Sequence, residues 1–196
     1  MTARRLSLLA AVVAAVVALS VMVLSLVPSS DDDGGSGVAL IGGPFELVDH
    51  TGRTVSEQDF AGKPMLIYFG YTFCPDVCPT ELSAMSQALD LLGDDAAEIQ
   101  PVFITIDPAR DTTEQMAEYV AHFYPTMVGL TGSVEQVAGA AKAYRVYYAR
   151  GPGEDDAYLM DHSSFIYVMD AGGKYRAHFG PNTAPEEMAR RLRELL

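Results

Sequence analysis

The chain of 196 residues has two cysteines, four positions apart in the segment Cys74-Pro75-Asp76-Val77-Cys78. Thiolates at this spacing support two chemistries. They can cycle between dithiol and disulfide, or clamp one soft ion such as Cu(I) or Zn(II) through metal–sulfur bonds of about 2.3 Å. A purely structural disulfide is a poorer use of them. It would close a loop of about five residues and contribute about 2 kcal/mol on the chain-entropy model, against more than about 4 for a loop near a hundred residues. Pro79 suits a first helical turn, which puts Cys78 at or near the N-cap, where helix amides favour a thiolate. Asp76 opposes that effect.

A metal held by two sulfurs wants at least one further ligand, and imidazole is the commonest. The chain offers four histidines. His50 falls in a turn, His122 sits on an amphipathic helix beside Phe123, and His178 alternates within an edge strand. Each reads as a surface or partly buried structural histidine. His162 follows Met160-Asp161 and lies just before the apolar segment Ser164–Met169.

The elements that must position these groups follow from periodicity. Phe45–Val48 and Arg53–Ser56 flank the turn His50-Thr51-Gly52 as a short hairpin. Pro64–Gly70 and Pro101–Ile106 are continuous apolar runs, as expected of strands buried on both faces. Thr80–Leu92 carries Leu82, Met85, Leu89 and Leu92 at helical spacing. Thr112–Phe123 is a second helix, Met127–Leu130 a short strand, and Ser133–Tyr144 a third helix with Ser133 as its N-cap. Ser164–Met169 and Lys174–Phe179 flank Asp170-Ala171-Gly172-Gly173 as a hairpin. Ala184–Leu196 closes the chain as a helix with Pro185 in its first turn.

This order predicts an α/β sheet with an antiparallel edge. It is the order of a thioredoxin-like fold with an added N-terminal β-hairpin and an insert between the second strand and its next helix. In that fold the loop entering the Ser164–Met169 strand faces the cysteine loop. Thioredoxins usually hold a cis-proline there, and this chain has Asp161-His162-Ser163. An imidazole opposite two thiols turns a redox site into a candidate metal site of two sulfurs and one nitrogen.

Leu6–Val27 is an apolar run of 22 residues broken only by Ser7, Ser20 and Ser25. As a helix it spans roughly 33 Å, enough to cross a hydrocarbon core of about 30 Å. Arg4 and Arg5 precede it and Asp31, Asp32 and Asp33 follow. The expectation is a retained, single N-terminal transmembrane anchor over residues 1–27, with the remainder exported. A cleaved signal peptide would have a shorter apolar region, of about 7 to 15 residues. Residues 28–37, mostly Ser, Asp and Gly, read as a flexible linker, and 38–196 as the thioredoxin-like domain. Of the 13 basic residues two precede the apolar run, so 11 basic face 26 acidic residues in the exported part. An anionic domain repels phosphate backbones, so nucleic acid is excluded as a partner.

The segment Tyr68-Phe69-Gly70-Tyr71-Thr72-Phe73-Cys74-Pro75-Asp76-Val77-Cys78-Pro79 resembles the signature of the Sco (SenC-type) copper proteins. So do Ile106-Asp107-Pro108-Ala109-Arg110-Asp111-Thr112, Val128-Gly129-Leu130-Thr131-Gly132 and Ala143-Tyr144-Arg145-Val146-Tyr147-Tyr148. Asp161-His162-Ser163 falls where that family keeps its ligand histidine. The resemblance implies a protein that binds Cu(I) or Cu(II) through Cys74, Cys78 and His162. Such a protein delivers copper to, or prepares, the binuclear copper centre of cytochrome c oxidase. It implies the copper-centre subunit of the oxidase and other copper chaperones as partners. The short, Arg-poor presequence gives the expectation of a bacterial inner membrane with the domain in the periplasm. Asp107 and Asp161 would be supporting residues near the site. Phe73 departs from the many relatives with histidine or another residue just before the first cysteine, and it cannot ligate copper.

Other readings stay open. A membrane-anchored thiol-disulfide oxidoreductase would use Cys74 and Cys78 as its catalytic redox pair and need neither His162 nor copper, although its usual spacing is Cys-x-x-Cys. Val77-Cys78-Pro79-Thr80-Glu81 resembles a peroxiredoxin segment, but those proteins have threonine where this chain has Pro75. A structural zinc site would want four closed ligands, and three are evident. The methionines, Met160 among them, read as apolar packing, and Arg110 as a residue that orders a loop.

Overall fold

The computed structural model describes residues 41–153 and 157–195. The anchor expected over residues 1–27 and the linker over 28–37 lie outside these. Among the described residues no helix is long and apolar enough to cross a membrane.

Seven strands form one sheet in the order β2-β1-β5-β4-β3-β8-β9. They are β1 (Glu46–Asp49), β2 (Thr54–Ser56), β3 (Met65–Gly70), β4 (Gln100–Thr105), β5 (Val128–Thr131), β8 (Ile166–Met169) and β9 (Tyr175–Phe179). Four helices accompany them: α1 (Val77–Leu92), α2 (Thr113–Val120), α3 (Val134–Ala143) and α4 (Pro185–Leu195). β3 pairs parallel with β4 and antiparallel with β8. The strands β9-β8-β3-β4 with α1, α3 and α4 are the expected thioredoxin-like core. The added hairpin β1–β2 joins through β5, antiparallel to β1.

All six residues of β3 are buried, as a central strand covered on both faces requires. α1 packs on α4, α2 on β5, and α3 on β1. Ser133 accepts a hydrogen bond from the Gln136 amide and caps α3 as expected.

Three expectations need correction. α1 begins at Val77 with Asp76 as its N-cap, three residues before the expected start, so Cys78 is its second residue and not its cap. α2 ends at Val120 and not at Phe123. His162 does not lie in a loop: β6 (Tyr148–Arg150) and β7 (Met160–His162) form a separate antiparallel ribbon with Tyr148 opposite His162.

Candidate metal centre

β3 delivers the chain to the site. Gly70 ends the strand, and a Cβ there would stand 2.8 Å from Cys78 Sγ and 3.0 Å from the rings of Phe103 and Tyr68. The absent side chain lets the sulfur lie against the strand. The Ile106 amide donates to the Gly70 carbonyl and holds β3 beside the end of β4.

The cysteine loop is then pinned from below. Asp111 is fully buried, and its carboxylate accepts from the Thr72 amide (3.1 Å), the Thr72 hydroxyl (2.6 Å) and the Thr105 hydroxyl (2.5 Å). Burial pushes its carboxyl above the usual range, with the hydrogen bonds from Thr105 and Thr72 opposing. The Cys74 amide closes a turn onto the Tyr71 carbonyl. Cys74 is 9% exposed and Cys78 is fully buried. Both are free thiols.

The ribbon brings the nitrogen. His162 Nε2 lies 3.3 Å from Cys78 Sγ. Its Nδ1–H donates to the Ser163 carbonyl (3.1 Å), which turns the Nε2 edge of the ring toward the sulfurs. The ring meets those of Tyr71 (centroids 6.0 Å apart) and Tyr68 (6.1 Å), both edge-on. One ligand atom from each of Cys74, Cys78 and His162 falls within 4.8 Å of the others. Two sulfurs bonded to one ion sit at most about 4.6 Å apart, so small movements suffice to close the three on a soft metal.

The thiol chemistry is asymmetric. Hydrogen bonding from Cys78 holds the Cys74 thiol well below the usual range; burial opposes, and His162 and the Asp76 and Cys78 amides assist. The hydrogen bond to Cys74, together with burial, pushes the Cys78 thiol up. The sequence, with helix amides set against Asp76, left this asymmetry open. The α1 N-terminal amides act on the sulfur that precedes the helix: the Cys78 amide donates to Cys74 Sγ at 3.4 Å. The arrangement pairs a thiolate at Cys74 with a thiol at Cys78 and an imidazole nitrogen.

The other histidines stay apart. His50 Nδ1 accepts from the Gly129 amide, His122 Nδ1–H donates to the Glu118 carbonyl, and His178 pairs with the Tyr175 hydroxyl. Among the described residues, Cys74, Cys78 and His162 are the sole grouping of three or more such ligands. Asp107 lies one layer below the site, bonded to Arg110 and Tyr158. Asp161 is exposed, and as the strand neighbour of His162 it faces away from the sulfurs. Asp111 and Tyr158 went unnoticed in the sequence; the run Asp107–Thr112 was the one available signal for the former. Phe73 is 47% exposed at the rim.

Comparison with known proteins agrees with this geometry. A family profile described as SCO1/SenC matches residues 33–196. A SCO2-like protein of Rickettsia felis is 47% identical over 150 residues, which is 76% of this chain and 73% of that protein. The structure of Bradyrhizobium japonicum ScoI with copper bound superposes with a TM-score of 0.74 and 44% identity, covering 80% of this chain and 99% of that one. Yeast Sco1 with copper bound gives a TM-score of 0.74 and 39% identity, over 80% and 88% of the two chains.

Proposed function

Since this chain belongs to the SCO1/SenC family, we propose that it carries copper on Cys74, Cys78 and His162 and passes it to the binuclear copper centre of cytochrome c oxidase. The observation that carries the reading is the convergence of the three ligand atoms within 4.8 Å, in a fold whose relatives from Bradyrhizobium japonicum and yeast have been solved with copper bound. Two thiolates and an imidazole suit Cu(I), and the nitrogen extends the set to Cu(II). Copper leaves by ligand exchange to an acceptor richer in thiolates. Oxidation of Cys74 and Cys78 to a disulfide removes two ligands, so occupancy and redox state are coupled. The apolar run Leu6–Val27 supports an inner-membrane anchor with the domain in the periplasm, meeting the oxidase copper-centre subunit and other copper chaperones there.

The thiol asymmetry favours a second activity of the same site. The Cys74 thiolate attacks a target disulfide and releases one target thiolate. Cys78 then attacks the mixed disulfide, losing its proton, and the second target thiolate leaves. Two thiols are oxidised and one target disulfide is reduced.

Copper titration of the reduced full-length chain in non-ionic detergent tests the first reading. Cys74→Ser or Cys78→Ser is expected to abolish tight binding. His162→Ala weakens Cu(II) about 10- to 100-fold and leaves the disulfide able to form. Unchanged copper affinity in all three variants overturns the site.

A further inference from the structure

The nitrogen ligand rides on a ribbon that the main sheet does not hold. β6 and β7 pair only with each other, and a lone two-stranded ribbon is marginally stable in water. Its placement therefore depends on what ties it to the cysteine loop.

Tyr148 and Met160 pack at the edge of the core, and most of the polar and cation–π ties converge on one guanidinium. The Tyr158 ring is stacked at 3.6 Å from Arg110 Cζ and at 3.8 Å from Arg150 Cζ. The Tyr158 hydroxyl donates to Asp107 Oδ1 (2.7 Å), and its carbonyl accepts from Arg110 Nη1 (3.0 Å). Arg110 Nε donates to Asp107 Oδ2 at 2.6 Å, in an ion pair whose side chains are 7% and 5% exposed. The same guanidinium lies over Phe73 (4.8 Å) and Tyr71 (5.7 Å) of the cysteine loop. Tyr71 also accepts the Met160 amide through its hydroxyl, two residues before His162. One buried cation thus touches the loop that carries the sulfurs and the segment that carries the imidazole.

We propose that Arg110, acting through Tyr158, is a positioning residue that latches the β6–β7 ribbon and so sets whether bound copper receives its nitrogen ligand. The inference rests on the copper reading above and adds an oxidation-state consequence. Both oxidation states use the nitrogen, but Cu(I), the softer ion, draws more of its affinity from the two sulfurs, which the core holds, whereas Cu(II) depends more on the imidazole. Loosening the latch therefore discriminates between the two states.

The test uses the reduced full-length chain with three variants. Arg110→Met removes the cation and keeps the stem. Tyr158→Leu keeps the Arg110–Asp107 pair and removes the stack, which covers failure of the first variant to fold. Arg110→Lys keeps the charge without the planar fork. Cu(I) affinity is read by competition with bicinchoninate, and Cu(II) affinity by titration with electron paramagnetic resonance for nitrogen coupling. Arg110→Met and Tyr158→Leu are expected to weaken Cu(II) about 10- to 100-fold, with reduced nitrogen coupling and a clearly smaller loss of Cu(I) affinity. Arg110→Lys falls between, and Arg110→Met adds nothing once His162 is alanine. Wild-type Cu(II) spectra and affinity in both variants, or equal losses of Cu(I) and Cu(II), overturn the latch.

Amide exchange of the metal-free protein separates this result from failure of the copper reading. Ser163 and Gly151, whose amides donate to the Tyr147 and Leu159 carbonyls, should exchange faster in Arg110→Met while Ile67–Phe69 keep their protection. Unchanged ribbon exchange overturns the latch even if the wild type binds no copper.

Discussion

The cysteine loop and the β6–β7 ribbon supply atoms to the same centre, but different forces hold them. The loop leaves β3, a strand buried along its whole length and paired on both sides. It is fastened by the fully buried Asp111 through three short hydrogen bonds to Thr72 and Thr105. The ribbon joins no other strand, its residues are half-buried or exposed, and it reaches the domain through Tyr158, Met160 and His162. The sulfurs thus inherit the stability of the core, while the nitrogen depends on the partly buried packing of Tyr148 and Met160 against it and on a few polar and cation–π ties. A carrier built this way keeps a soft ion through its thiolates and can vary the third ligand without unfolding.

The most damaging way to erase that difference is Asp111→Ala. It strands the Thr72 amide and two hydroxyls in a buried site, at a cost of about 3 kcal/mol or more. For a domain of this size the melting temperature should fall by roughly 6–12 °C. Copper titration of the folded fraction should show Cu(I) and Cu(II) weakened together, because the sulfurs themselves move. A selective loss of Cu(II) would break the comparison. Gly70→Ala comes next. The new methyl would stand 2.8 Å from Cys78 Sγ, and overpacking of this kind costs about 1–3 kcal/mol. Its expected signature is a Cu(I) loss larger than in any ribbon variant.

The thiol asymmetry sharpens the comparison inside the loop. A thiol whose folded pKa lies below its unfolded one is ionised over a wider range in the native state. Its stabilisation is present above the unfolded value and is lost as pH falls through the folded one. Iodoacetamide should therefore label Cys74 at pH 5 to 6, well below the usual thiol range of about 8.5, and spare the buried Cys78. Equal labelling of both, read by peptide mass, contradicts the assigned thiolate.

Much of this was legible in the sequence, and the misses have common causes. The apolar runs that became β3 and β4 and the Leu82-Met85-Leu89-Leu92 stripe of α1 carry strong periodic signals. So does the cap at Ser133. Cys74, Cys78 and His162 could be grouped because sulfur and imidazole are rare and the fold order faces them. The ribbon escaped because its strands have three residues each, and the segment between them opens on Gly151-Pro152-Gly153, which reads as a loop. The start of α1 escaped because its N-cap position, Asp76, lies inside the cysteine motif and makes no side-chain capping bond. The sequence left the thiolate unassigned because a helix-terminus argument sees one helix and an opposing Asp76, whereas the shift comes from one sulfur bonding the other. Arg110 and Tyr158 are 48 residues apart, and no local pattern joins them.

The smallest effect is expected from Tyr71→Phe. The ring stays, so its edge contact with His162 and its packing beneath Arg110 survive. Two bonds of the hydroxyl are lost, the one that accepts the Met160 amide and the one with Cys74, each worth about 1 kcal/mol. Because Met160 belongs to the ribbon, loss of its bond should appear as a Cu(II) affinity about five-fold weaker, faster exchange of the Met160 amide and a smaller fall in Cu(I) binding. Tyr71 itself, however, belongs to the cysteine loop. If Cu(I) binding fell by the same factor, the hydroxyl would be bracing the sulfurs, and the separation of core-held sulfurs from a tethered nitrogen would fail at the residue where the two regions touch.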